Sequence, residues 1–114
     1  MCNKINREIV FYKGYFLEFY YKLDKKTQEK IEYVFDIIRY EKRITSIFLK
    51  YLKGTEKLYE VRVKSGKDIY RILCFFDKGA LVVLLNGFKK KDKKTPQQEI
   101  RIAEKLRKEY YEEE

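Results

Sequence analysis

Arg62 and Arg71 sit one in each arm of LYEVRVKSGKDIYRILCFF, residues 58–76. Both arms are apolar runs, and a guanidinium placed among such residues needs a partner. Arginine offers a fixed fork of donors that fits a phosphate, and lysine adds a mobile point charge. Glu60 lies two residues before Arg62, where a carboxylate can serve as a base or simply pair with an arginine. Lys64 and Lys67 flank the polar turn between the arms. A second cationic group, Lys89, Lys90, Lys91, Lys93 and Lys94, follows in KKKDKK. Gathered on one sheet face, these cations would form a phosphate site. The plainer readings are that Arg62 pairs with Glu60 on an exposed sheet surface and that KKKDKK is a solvated charge run.

The elements that position these residues follow from local pattern. REIVFYK (7–13) mixes β-branched and aromatic residues and predicts a first strand. YFLEFYYKL (15–23) and residues 25–41 carry apolar residues at helical spacing, Phe16, Phe19, Tyr20 and Leu23 in one, Ile31, Val34, Phe35 and Ile38 in the other. Asp24 between them breaks or caps. Residues 44–56 are read as a short helical turn capped by Ser46 and ended at Lys53-Gly54-Thr55. Then come a strand at 58–63, a turn at 64–68 and a strand at 69–77. Asp77-Lys78-Gly79 makes a second turn. ALVVLLNGF (80–88) is apolar on both faces and so central. Thr95 suits a helix N-cap, Pro96 the first helical position and Gln98 the capping-box partner. Ile100, Ala103, Leu106 and Tyr110 mark the buried stripe of the last helix, and Glu112, Glu113 and Glu114 form a solvated or frayed tail.

The expected architecture is α+β: a mostly antiparallel four-stranded sheet packed on N-terminal helices, with a C-terminal helix, all in one domain spanning 1–114. Side chains alternate along a strand. Tyr59, Val61 and Val63 share one face with Tyr70, Ile72, Cys74 and Phe76. Leu58, Glu60 and Arg62 share the other with Arg71, Leu73 and Phe75. If the first set meets the helices, both arginines emerge on the open face.

Hydrophobic residues make up 45% of the chain and aromatic residues 17%, which supplies a core and argues against disorder. No apolar run reaches the roughly 18–20 residues of a membrane span, and MCNKINREIV lacks an apolar signal core, so a cytoplasmic location is expected. Cys2 and Cys74 are too few and too far apart for a metal site, and Cys74 reads as a small core residue. The net charge of +9 points to a polyanion as partner: nucleic acid, ribosome or an acidic protein.

Residues 58–100 resemble the RelE/ParE toxin superfamily, and are most similar to its HigB-like, phage-derived branch. The motifs are GTEKLYEVRV (54–63), IYRILCFF (69–76), VVLLNGFKKKDKKTP (82–96) and the charged helix QQEIRIAEKLRKEYY (97–111). The N-terminal half fits through element order. The resemblance implies the toxin of a type II toxin–antitoxin system: a ribosome-dependent messenger-RNA endonuclease that inhibits translation. In such enzymes the 2′-hydroxyl attacks the adjacent phosphate without cofactor or metal. It assigns Arg71 to phosphate stabilisation and Arg62 to a basic position beside it. Glu60 falls where some relatives carry lysine and is either a base or an ion-pair partner. Lys89, Lys90 and Lys91 fall where relatives contact RNA. The chain has no histidine, and no tyrosine between Tyr70 and Tyr110, so the general acid stays open. Tyr110 and Tyr111 lie in the right element but far along it. The resemblance also implies a cognate antitoxin, often of helix-turn-helix type, which would shield the basic face and bury Leu58, Leu73 and Phe75. Two other functions fit the same chain: a ParE-like inhibitor of DNA gyrase, and an RNA- or ribosome-binding module without chemistry.

Overall fold

The computed structural model describes residues 4–91 and 94–113. The strands are β1 (Glu8–Phe11), β2 (Leu49–Tyr51), β3 (Tyr59–Ser65), β4 (Asp68–Asp77) and β5 (Leu81–Lys89). The helices are α1 (Tyr15–Tyr20), α2 (Lys25–Tyr40) and α3 (Gln97–Glu112). They build an α+β fold on one five-stranded sheet in the order β1-β5-β4-β3-β2. All pairs are antiparallel except β1 with β5, which is parallel and matches Glu8 to Leu81.

The alternation along each strand sorts the core into two layers. Val61, Val63, Tyr70, Ile72, Cys74, Val82 and Leu84 pack under α1 and α2 against Phe16, Ile31, Val34, Phe35 and Ile38. That is the face predicted to meet the helices. The opposite face is not open. Leu58, Leu73, Phe75, Val83 and Leu85 are buried there by Ala103 and Leu106 of α3, with Ile100 and Tyr110 packed beside them. The chain's own last helix therefore covers the apolar residues reserved for an antitoxin, because its stripe matches the row that strands β4 and β5 present. Cys74 lies wholly inside the first layer, where burial pushes its thiol up. Cys2 lies outside the described residues.

Sheet and helix ends bear on the sequence reading in four places and correct it in two. Residues 49–51 form an edge strand instead of continuing a helical turn, which makes the sheet five-stranded. The turn that follows explains it: Gly54 and Lys57 both adopt positive φ, and Thr55 Oγ1 donates to the Leu52 carbonyl at 2.6 Å while accepting from the Leu58 N–H at 3.1 Å. Leu52 N–H then reaches the Leu58 carbonyl, closing β2 onto β3. Second, Asp24 takes the capping role read for it, accepting from the Thr27 N–H at 2.9 Å at the start of α2, and α1 and α2 are separate helices. Third, Pro96 takes the N-cap position of α3 and makes no side-chain cap, and Thr95 is engaged elsewhere. Fourth, Glu112 ends α3 and Glu113 pairs with Lys13 at 3.0 Å, and both are exposed, which fits the solvated tail. Glu114 lies outside the described residues.

Gly87 on β5 marks a close approach. A Cβ there would lie 2.5 Å from the ring of Phe19, so α1 packs directly on bare backbone. Between Ile72 and Cys74 the β4–β5 register also shifts by one residue.

Candidate active site

The β3–β4 register places Arg62 directly opposite Arg71, and Glu60 opposite Leu73. Like charges facing each other across a sheet repel. Glu60 resolves this from below. Its Oε1 accepts from Arg62 Nε at 3.0 Å and from Arg71 Nη1. Its Oε2 accepts from the Thr95 hydroxyl at 2.6 Å, and Arg71 Nη1 also reaches Thr95 Oγ1 at 3.5 Å. Arg62 Nη1 donates to the Ser46 carbonyl at 3.2 Å, and its backbone N–H to the Phe48 carbonyl at 2.8 Å. The 44–48 segment, β3, β4 and the start of α3 thus meet at one carboxylate.

The four groups differ sharply in exposure. Glu60 is fully buried and the Arg71 side chain is 5% exposed, whereas Arg62 is 27% exposed. Only Arg62 emerges as the alternation predicts. Burial pulls the Arg71 guanidinium below its ordinary value, and the Glu60 charge opposes that pull. A buried carboxylate is tolerated only when its oxygens are satisfied, and both are. Arg71 Nε is buried and has no hydrogen-bond partner among the described residues. Two guanidiniums against one carboxylate leave a net positive site with an unspent N–H.

A cleft of about 440 Å³ opens over this cluster. Its lining includes Lys30 and Tyr33 of α2, Ile47 and Phe48, Arg62 and Lys64 of β3, Arg71 of β4, and Lys90. Among the described residues, five cations and no carboxylate line it. Lys90 is held there by its own backbone, whose N–H donates to the Ile69 carbonyl at 2.7 Å.

Of the residues singled out from sequence, Glu60, Arg62 and Arg71 come together, and Lys64 and Lys90 join them at the cleft. Lys67 is exposed in the hairpin turn, outside the cleft lining, and Lys89 pairs with Asp68 at 3.4 Å. Lys91 and Lys94 are exposed, and Lys93 lies outside the described residues. Tyr110 and Tyr111 do not reach the site. Their hydroxyls donate to Asp77 at 2.8 and 3.3 Å. Asp77 is six residues beyond Arg71 along β4, about 20 Å at the usual rise of a strand. Four site residues were missed: Lys30, Tyr33, Ile47 and Thr95. Lys30 and Tyr33 flank the buried positions Ile31 and Val34, so the helical pattern did place them on the rim of the packed face.

The model of the phage-derived, Gp49-like protein family matches residues 18–108, most of the chain and all of the site. This protein belongs to that family. Its fold is also that of a chain in the crystal structure of the archaeal RelE–RelB complex from Pyrococcus horikoshii OT3. The match has a TM-score of 0.54 and 21% identity, and covers 73% of this chain and 93% of that one. No curated protein matches. Family and fold agree with the resemblance read from residues 58–100. In this Gp49-like chain, the hairpin that carries that resemblance is the one that brings Arg62 and Arg71 face to face. Among the described residues, no helix is long and apolar enough to cross a membrane.

Proposed function

We propose that this Gp49-like protein is the toxin of a type II toxin–antitoxin pair, acting in the cytoplasm as a ribosome-dependent messenger-RNA endonuclease, with the whole chain as its one domain. The observation that carries this reading is the unspent Nε of Arg71 beneath a cation-lined cleft. A phosphodiester in the cleft would satisfy that donor and meet Arg62 beside it. Attack by the 2′-hydroxyl on the adjacent phosphorus builds an extra negative charge on the phosphoryl oxygens, and the P–O5′ bond then breaks to leave a 2′,3′-cyclic phosphate and a 5′-hydroxyl. Preorganised guanidiniums stabilise that charge. Lys30, Lys64 and Lys90 hold the flanking backbone, with Lys67, Lys89, Lys91 and Lys94 extending the basic surface.

Glu60 is a positioning residue in this reading. With both oxygens engaged and no exposed surface, it cannot take a proton from a substrate hydroxyl, but it sets the spacing of the two arginines. The matched RelE was crystallised with RelB. By analogy the present chain has a cognate antitoxin. With Leu58, Leu73 and Phe75 covered by α3, that antitoxin would act at the cleft mouth or by blocking entry to the ribosome.

The test is primer extension on messages from translating ribosomes, comparing the wild type with Arg71→Ala. Cuts inside A-site codons that vanish in the variant are expected. A folded wild type that makes no cuts would end the endonuclease reading, and inhibition of DNA gyrase would then become the assay to run.

A further inference from the structure

Beside its cations the cleft is lined by exposed apolar and aromatic side chains, which have no role in holding a phosphate. Tyr33 and Ile47, 60% and 69% exposed, line the cleft together with the arginines. Exposed large apolar side chains scattered singly need no explanation. Two that share one cleft with five cations do. Phe48, partly buried, lines it as well. Neither Tyr33 nor Ile47 joins either core layer.

We infer that Tyr33, backed by Ile47, is a stacking platform for an unpaired nucleobase, and that the cleft takes one nucleotide of a single strand: phosphate on the arginine side, base on the tyrosine side. This rests on the reading of the cleft as an RNA site and names what reads the base there. Three observations favour a nucleobase over other occupants. Among the described residues the lining carries no carboxylate, which suits an anionic ligand. The volume falls within the range of small-ligand pockets and suits one nucleotide. An aromatic face beside a cationic groove is the arrangement by which single strands are bound, since every base has a π-face. Tyr33 is also placed firmly, because its neighbour Val34 is buried in the first core layer and α2 is capped by Asp24.

The experiment compares binding of a short single-stranded oligonucleotide, made uncleavable by 2′-deoxy substitution, with its counterpart lacking one base at the position nearest the arginines. Wild type, Tyr33→Ala and Tyr33→Phe are each titrated, and cleavage on ribosomes is mapped in parallel. The missing base is expected to weaken binding by the wild type and by Tyr33→Phe about tenfold, the order that one stacked base contributes. In Tyr33→Ala the two oligonucleotides should bind alike. Equal binding of both by the wild type, or binding of neither, overturns the platform. So does a Tyr33→Ala variant that binds nucleic acid normally but loses a protein partner. A base effect that persists without any ribosomal cleavage would overturn only the endonuclease reading and keep the nucleotide site.

Discussion

Arg62 and Arg71 stand opposite each other in the β3–β4 ladder and donate to the same oxygen, Oε1 of Glu60. The two guanidiniums are held side by side by a group that no substrate can reach. Glu60 is thereby coupled to stability and, through the arginines, to the site.

Removing that charge should be costly. Glu60→Gln leaves Arg71 buried without a counter-ion, and breaking a buried pair in this way costs about 3–5 kcal/mol. Urea denaturation should show the loss. Arg71→Ala, which leaves Glu60 with Arg62 and Thr95, should cost less, and the double variant should recover part of the Glu60→Gln penalty. Additive losses would contradict the coupling.

Arginine at position 71 should not be replaceable by lysine. Lysine keeps a charge but loses the fork that spans Glu60 and the cleft. Message cleavage by Arg71→Lys is expected to fall about 10²–10³-fold, the range seen when a single transition-state donor is removed. Primer extension at matched protein concentration measures it.

Thr95→Val tests the anchor between α3 and the site. It deletes the 2.6 Å hydrogen bond to Glu60 Oε2 and leaves a buried carboxylate oxygen short of a donor. A destabilisation of about 1–3 kcal/mol is expected, with Thr95→Ser close to the wild type. An unaffected Thr95→Val would mean that the hydroxyl is not needed.

Gly87→Ala should destabilise by about 1–3 kcal/mol through overpacking, since the new Cβ enters the ring of Phe19. Pairing it with Phe19→Leu should restore part of the loss in the same denaturation assay. A neutral Gly87→Ala would show that α1 yields freely.

Asp24 supplies a pH dependence. Its hydrogen bonds from Thr27 hold the carboxyl below the usual range. Its contribution is therefore complete above the unfolded value of about 3.9 and is lost as pH falls through the lower folded value. Acid titration of unfolding should be shallower for Asp24→Asn, which keeps an acceptor at the cap but does not titrate.

Most of the frame was legible because its signals are periodic. The alternation in 58–63 and 69–77 placed Val61, Ile72 and Cys74 under the N-terminal helices, and both-sided apolarity marked β5 as interior. What failed was aperiodic or depended on another element. A three-residue strand at 49–51 carries too little alternation to compete with the helical spacing around it. Parallel pairing of β1 with β5 leaves no local trace. Thr95 satisfies every local rule for a cap, yet its hydroxyl is drawn to a buried carboxylate 35 residues away, to which it donates, and the N-cap position falls at Pro96. For the site, the hairpin named Glu60, Arg62 and Arg71 correctly, but the depth of Glu60 and Arg71 depended on where α3 lies. The lining supplied by Tyr33 and Ile47 comes from segments with no sequence link to the hairpin.

The parallel pairing of Glu8 with Leu81 also orders events during synthesis. Strand β1 leaves the ribosome 73 residues ahead of its partner. At 5–20 residues per second, that gap lasts about 4–15 s. Throughout it, the apolar faces of α1 and α2 wait for a sheet that is still being translated, and the cleft lacks Lys90, which comes later still. The half-made chain thus carries apolar helix faces that only the completed sheet can cover.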